Sequence, residues 1–130
     1  MARISDVIDS FRRCQESPDF CDRFYDRLFE SRPDVRLVME RVDVRTRHMM
    51  VRKGVTMMLL HVAGVAGADR AFERVRALHG PAGLGVSADQ FAAWAECLLA
   101  MVREADPECT DPLAEAWREV LADGVRSLTR

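Results

Sequence analysis

Apolar residues recur every three to four positions along most of the chain, which is the spacing of one face of an α-helix. Six such stripes stand out, with the members Ile4, Val7, Ile8 and Phe11; Phe20, Phe24 and Leu28; Val51, Val55, Met58 or Leu59, and Val62; Phe72, Val75 and His79; Phe91, Trp94, Leu98 and Val102; and Leu113, Trp117, Val120, Leu121 and Leu128. No segment alternates apolar and polar residues over the length of a strand. The pattern therefore predicts an all-α fold.

Capping and helix-breaking residues divide these stripes from one another. The start signals are Ser17-Pro18, the capping-box pair Ser87 and Gln90, and Thr110 with Pro112, and the stop signals are Arg32-Pro33 and Asp106-Pro107. A short apolar connector, residues 35–39, follows the second helix. Together these signals predict six long helices and one short one. Because the chain has no repeat, low-complexity tract or flexible linker, residues 1–130 are expected to form a single domain.

The segment RAFERVRALHGPAGLGV, residues 70–86, carries the most informative stripe. Phe72, Val75 and His79 lie at i, i+3 and i+7, which places them on one helical face, and Gly80 then begins a helix-ending stretch. An imidazole thus ends an apolar stripe. The residues alone leave two interpretations open: a partly buried histidine with a backbone or water partner, or a ligand or catalytic group.

Charge narrows the classes of partner. Apolar residues make up 48% of the chain and charged residues 31%, which is typical of a folded globular protein. Nineteen basic and 21 acidic residues leave a net charge of −2. This chain lacks the basic field that holds nucleic acid or an anionic membrane, so we expect neither as a partner.

Other features bear on the compartment. The four cysteines form no Cys-x-x-Cys pair, and the first residues lead directly into a charged amphipathic stretch rather than an export signal. The most apolar run, residues 55–68, is too short to cross a bilayer. These observations predict free thiols and a cytoplasmic protein.

Several kinds of chemistry have no signal in the sequence. There is no glycine-rich phosphate loop and no Gly-x-Ser-x-Gly elbow, and the three histidines share no helical face. Four methionines instead occur as two adjacent pairs eight residues apart, Met49-Met50 and Met57-Met58. Flexible thioethers suit either irregular core packing or the wall of a flat cofactor. Tyr25, the single tyrosine, likewise suits core packing or a role facing a ligand.

Taken in order, these features resemble the globins, and in particular bacterial single-domain members. FYDRLFESRPDVRLVM (residues 24–39) is similar to their second and third helices, RHMMVRKGVTMMLL (47–60) to the distal helix, ALHGPAGLGVSADQF (77–91) to the proximal-histidine segment, and residues 91–121 to the last two helices. The resemblance rests on the joint register of Tyr25, Pro33, His79 and Trp117. It implies a globin-like fold, six long helices plus one short connector helix around a haem pocket.

The resemblance also implies roles for individual residues. His79 falls at the position of the proximal ligand, which binds haem iron, and Phe72, Val75, Leu78 and Val86 would line or back the haem.

On the distal side, the resemblance implies that Tyr25 can donate a hydrogen bond to a bound gas. Arg47 falls where the family commonly has histidine or glutamine, and it can serve as a gate, a propionate partner or a hydrogen-bond donor. Val51, one turn on, would contact the ligand. A small shift of the helix would bring His48 to the iron instead of Arg47.

The chain departs from the family in the connector. Met39 stands where a phenylalanine usually packs flat on the haem, and Val44 replaces an aromatic residue often present nearby. A methionine can cover the porphyrin edge without the contact between rings, and thioether ligation by Met39, Met49 or Met50 is a further alternative.

The implied function is a haem b protein that binds dioxygen or another diatomic gas, for carriage, sensing, or nitric oxide or redox chemistry. The sequence shows no reductase segment, so turnover would require a separate reductase, and whether the protein is an enzyme stays open, as does its oligomeric state. The alternative is a haem-free globin-like sensor or protein-interaction module, which the methionine at position 39 favours.

Overall fold

The computed structural model describes residues 3–80 and 83–129, and within these ranges the secondary structure is entirely helical. The helices are α1 (Ile4–Gln15), α2 (Phe20–Ser31), α3 (Pro33–Met39), α4 (Val44–Val62), α5 (Ala68–His79), α6 (Ala88–Ala105) and α7 (Asp111–Leu128). Six of them are long, and α3 is the short one. The predicted all-α class and the number of helices are therefore confirmed.

Most helix ends follow the predicted capping chemistry. Ser87 and Gln90 form a reciprocal capping box at α6, with the Gln90 amide donating to Ser87 Oγ at 3.1 Å and the Ser87 amide donating to Gln90 Oε1 at 2.9 Å. Thr110 Oγ1 accepts a hydrogen bond from the Leu113 amide at 3.3 Å and so caps α7. Arg32, the residue before Pro33, has an extended conformation that separates α2 from α3.

Two helix starts differ from the prediction. The α2 helix begins at Phe20 rather than at Ser17-Pro18, because Ser17 Oγ donates to Asp19 Oδ1 in a turn that precedes the helix. The α4 helix begins at Val44, three residues before the predicted start, because Asp43 caps it by accepting a hydrogen bond from the Arg45 amide at 3.2 Å.

The core joins all six long helices around large apolar side chains. Phe24, Leu98 and Trp117 are fully buried, and Phe11 packs edge to face against Phe20 and Trp117 at ring-centroid distances of 6.3 and 6.1 Å. Each such side chain contributes about 1.5 to 3 kcal/mol when its surface leaves water. This packing fixes α1, α2, α6 and α7, and α4 and α5 join the same core through residues such as Val55 and Phe72.

A buried polar network crosses this core. Trp117 Nε1 donates to Ser10 Oγ at 2.9 Å, and Ser10 Oγ donates to Asp106 Oδ2 at 2.5 Å. Arg13 donates to both carboxylate oxygens of Asp106, at 2.7 and 2.9 Å, and the Glu108 amide donates to the same group at 2.9 Å. Burial alone would raise the pKa of Asp106, but these hydrogen bonds hold it below its ordinary value. The network joins α1, the end of α6 and the start of α7.

Glycines set the positions of α4 and α5. Gly64 and Gly67, in the corner between the two helices, have φ values of +74° and +84°, which only glycine adopts readily. Gly124 of α7 lets α4 approach closely, because a Cβ there would come within 2.4 Å of the Met58 side chain. The α4–α5 pair is thereby held against α7 at one side and leaves a space on the other.

Candidate functional site

A cavity occupies the space beside α4 and α5, and every helix except α1 contributes to its lining. It offers about 180 Å³ to a water-sized molecule and is partly open to solvent. The described lining residues include no aspartate, glutamate, lysine or arginine. An apolar cleft with a few polar groups is typical of a small-molecule or cofactor site.

His79 contributes an imidazole ring to this lining. It is the last residue of α5, and its Nδ1 donates to the Val75 carbonyl at 2.7 Å. This bond assigns the proton to Nδ1 and leaves the lone pair on Nε2, which makes no hydrogen bond with the residues that the structure describes. An imidazole held in this tautomer by a backbone carbonyl is the usual arrangement of a metal-binding histidine.

The rest of α5 supplies one wall of the cavity. Phe72 and Val75 both line it, as the stripe in the sequence predicts, and Val86 lines it from the segment that precedes α6. Leu78 does not line it: its side chain is 53% exposed. Because successive helix residues are rotated by about 100°, the position before His79 faces away from the wall that His79 joins.

The α4 helix supplies another wall. Met50, Gly54 and Met58 lie at i, i+4 and i+8 on one face, and all three line the cavity together with Val51. A Cβ built on Gly54 would meet no atom within 4 Å, so the helix backbone borders open space there. Gly54 thus allows a flat molecule to approach the α4 backbone closely.

Tyr25 lines the cavity from α2 as a buried, neutral phenol. Its hydroxyl donates to the Arg47 carbonyl at 2.9 Å, and burial raises the pKa of the phenol above its ordinary value. Phe24 packs against the same ring at a centroid distance of 5.2 Å. In this structure the hydrogen bond from the Tyr25 hydroxyl tethers the N-terminal part of α4 to α2. A phenol has one proton to donate, so a ligand in the cavity would compete with the Arg47 carbonyl for it.

The side chain of Arg47 lies outside the lining. Its guanidinium carbon is 5.8 Å from the ring centroid of Tyr25 and 5.6 Å from that of Phe29, which is cation–π geometry. Its Nε is buried and has no hydrogen-bond partner among the described residues. Stacking on the two rings draws the arginine away from the cavity, although Val51, one turn on, lines it.

His48 also lies outside the lining. Its Nε2 is 2.6 Å from Asp22 Oδ1, in a hydrogen bond that joins α4 and α2. Coordination of a metal in the cavity would require this pair to break. His48 therefore does not point into the cavity in this structure, and only a shift of α4 would bring it to an iron as the sixth ligand. The reason is again that successive helix residues point in directions about 100° apart.

Met39 ends α3 as a buried member of the lining. It occupies the wall position that the connector was expected to supply, with a thioether in place of an aromatic ring. Its neighbour Val38 also lines the cavity although it is 42% exposed, and Leu37 is exposed and lies outside the lining.

Some lining residues were not predicted as site residues. Trp94 and Phe91 appear in the sequence as core positions, Met58 suits either the core or a cofactor wall, and Gly54 has no apolar signal at all. The recurrence of methionine, glycine and methionine at spacings of four was the available signal for the α4 wall. A core face and a cofactor face have the same helical spacing, so periodicity cannot separate them.

The rest of the described structure offers few alternatives to this cavity as a functional site. Within residues 3–80 and 83–129, no three His, Cys, Asp or Glu side chains are grouped so that they could hold a metal ion. No described helix combines the length and apolar character that a membrane span requires. Cys14, Cys21, Cys97 and Cys109 are free thiols, as predicted.

Comparison with known proteins gives one family and one solved structure. The model of the family described as Globin matches residues 22–127. A crystal structure of a Pseudomonas aeruginosa PAO1 protein, described as structurally highly homologous to a human hemoglobin, superposes with a TM-score of 0.89 at 26% identity. The match covers 96% of this chain and 94% of that one. A search of curated proteins finds no match.

Proposed function

Because this chain belongs to the globin family, we propose that it would hold one b-type haem through His79, and that the haem would supply the iron that binds a diatomic gas. The observation that carries the proposal is the tautomer of His79, whose Nδ1 donates to the Val75 carbonyl while Nε2 carries the lone pair. The proposal covers residues 1–130 as one globin domain.

The described residues fit a haem. The lining is apolar, as a porphyrin face requires, and Gly54 leaves open space where a Cβ would project. A bound haem supplies a redox-active iron with one position for a gas.

Each wall then has a separate task. Phe72, Val75 and Val86 exclude water from the side of His79. Met39 covers the cofactor with a polarizable thioether, and Val51 borders the gas. Tyr25 is the proposed hydrogen-bond donor, since it lines the cavity and its hydroxyl can turn from the Arg47 carbonyl to a bound gas.

A haem titration tests the proposal. Addition of ferric haem to the purified protein should produce a Soret band that saturates at one haem per chain. The reduced protein should then shift this band when carbon monoxide is added. If the band does not form, the haem-free module remains as the alternative, and the search for a function moves to protein partners.

We expect Tyr25→Phe to speed the release of dioxygen about tenfold. A charge-bearing oxygen accepts a hydrogen bond from the phenol more strongly than carbon monoxide does, so carbon monoxide release should change less. Stopped-flow displacement of both gases measures the difference. An equal change for the two gases would show instead that the bond to the Arg47 carbonyl acts only by holding α4 in place.

Two substitutions of Gly54 should distinguish its effect on haem binding from its effect on the stability of α4. Gly54→Ala meets no neighbouring atom and removes a helix-interior glycine, so the free energy of unfolding without haem should rise by about 0.5 to 1 kcal/mol.

Gly54→Leu extends into the cavity and should lower haem affinity about tenfold, the cost of overpacking one residue. Denaturant unfolding and haem titration of the two variants provide the measurements. If Gly54→Leu bound haem as tightly as the wild-type protein, the space beside Gly54 would not belong to the haem site.

A further inference from the structure

A histidine and an aspartate join the two sides of the corner between α4 and α5. His61 lies in the last turn of α4 and Asp69 in the first turn of α5. His61 Nδ1 donates to Asp69 Oδ1 at 2.6 Å. An anion in the first turn of α5 also complements the dipole of that helix, so Asp69 favours this corner in two ways.

The same imidazole lies flat on a residue of the cavity wall. The rings of His61 and Phe72 are stacked with centroids 4.2 Å apart and planes 3° from parallel. Phe72 is 2% exposed and lines the cavity. One face of Phe72 is thus fixed by His61, and the orientation of His61 is fixed by Asp69.

Phe72 and His79 are seven residues apart on α5, which places them two turns apart on one helical face. A rotation or shift of α5 that moved Phe72 would therefore move His79 with it. The chain turns between the two helices at Gly64 and Gly67, both at positive φ, and the hydrogen bond from His61 to Asp69 spans this corner.

We propose that His61 and Asp69 are positioning residues, called here the corner clamp, that hold α5 through Phe72 and so fix His79 against the cofactor. This inference rests on the proposed binding of haem at His79. The corner clamp does not contact the iron, and its effect is on the orientation of α5 and on the retention of haem.

The chain contains a matched control for the corner clamp. His48 on α4 pairs with Asp22 at the same distance of 2.6 Å, and its side chain is about as exposed as that of His61, 22% against 26%. The control pair does not involve α5 or the stack on Phe72. A general effect of losing a histidine–aspartate pair would appear equally at both sites.

The test compares Asp69→Asn with Asp22→Asn in the haem-loaded protein. Because Asp69 is exposed, its pair is worth little, and Asp69→Asn should speed haem loss to an acceptor apoprotein about twofold to fivefold. His61→Ala also removes the stack and should speed it about tenfold. Asp22→Asn should stay close to the wild-type rate.

A spectroscopic measurement separates positioning from stability. The iron–histidine stretching band of the reduced protein reports the orientation of His79, and it should shift in Asp69→Asn but not in Asp22→Asn. His61→Phe keeps the stack without the hydrogen bond to Asp69, so adding Asp69→Asn to His61→Phe should have no further effect on haem loss. Equal rates for Asp69→Asn and Asp22→Asn, or an unchanged band in Asp69→Asn, would overturn the proposal.

Failure of the proposed function gives a different result. If the wild-type protein bound no haem, the titration above would show it before any variant was made. Hydrogen exchange of the α5 amides without haem would then still decide whether the pair holds α5: Asp69→Asn should speed exchange over residues 68–79 about twofold to fivefold, and Asp22→Asn should not. Unchanged exchange in Asp69→Asn would overturn the corner clamp in either case.

Discussion

Replacing His79 with alanine is expected to abolish the Soret band of the haem-loaded protein or to lower haem affinity by about 100-fold or more. Loss of a residue that only supports a metal ligand costs up to about 100-fold, and loss of the ligand itself should cost at least as much. His79 is the residue of the described lining that combines a ring nitrogen free to bind iron with a carbonyl that fixes the other nitrogen. Haem titration followed by absorption measures the effect.

Two further variants make this result specific. His79→Gly leaves room for added imidazole, so imidazole should restore the band if His79 acts as a ligand. His48→Ala should leave the band unchanged, because His48 pairs with Asp22 outside the cavity lining. A Soret band that survives in His79→Ala would move the proximal ligand to another residue, and the thioethers of Met39 and Met50 would be the first to test.

The position of His79 was accessible from the sequence because its evidence is local. The stripe Phe72, Val75 and His79 defines one helical face, and the partner of Nδ1 is the carbonyl four residues earlier, which any helix places nearby. The number of helices and the caps of α6 and α7 were accessible for the same reason. The starts of α2 and α4 were not predicted, although local hydrogen bonds at Asp19 and Asp43 set them.

The α4 wall of the cavity was harder to predict, because contacts between residues far apart in the sequence determine which α4 side chains line it. Arg47 and Val51 are one turn apart, yet only Val51 lines the cavity, since Arg47 stacks on rings that α2 supplies. Gly54 leaves space in the cavity because it has no side chain, and a residue without a side chain does not appear in a pattern of apolar positions. Met50 was named in the sequence as a possible thioether ligand, and the structure now places it in the lining. Whether Arg47, His48 or Leu78 contacts a haem stays a prediction.

The polar network of the core was not predictable from local pattern at all. Ser10 and Asp106 are 96 residues apart, and Asp106 appeared in the sequence only as part of a helix-ending Asp-Pro pair. A carboxylate at a helix end is ordinarily solvated, so nothing indicated that it would be buried. The packing of α1 against α6 and α7 creates its partners.

Asp106 should therefore be one of the most sensitive positions of the fold. Asp106→Asn removes the negative charge that pairs with Arg13 and turns an amide group toward that cation. We expect the free energy of unfolding near neutral pH to fall by about 2 to 4 kcal/mol, somewhat less than for a fully buried pair because the Arg13 side chain is 20% exposed. Asp111→Asn removes an exposed partner of Arg103 and serves as the control. It should change the free energy of unfolding by less than about 1 kcal/mol.

The pH dependence of this difference tests its origin. The folded protein holds the pKa of Asp106 below its ordinary value, so the carboxylate stabilises the fold above the unfolded pKa of about 3.9. That stabilisation is lost as pH falls through the lower, folded pKa, because both states then bind the proton. The gap in unfolding free energy between wild type and Asp106→Asn should consequently narrow on going from about pH 7 to about pH 3. Urea unfolding at both pH values measures it, and a gap that stayed constant would mean that Asp106 acts through packing and hydrogen bonds rather than through its charge.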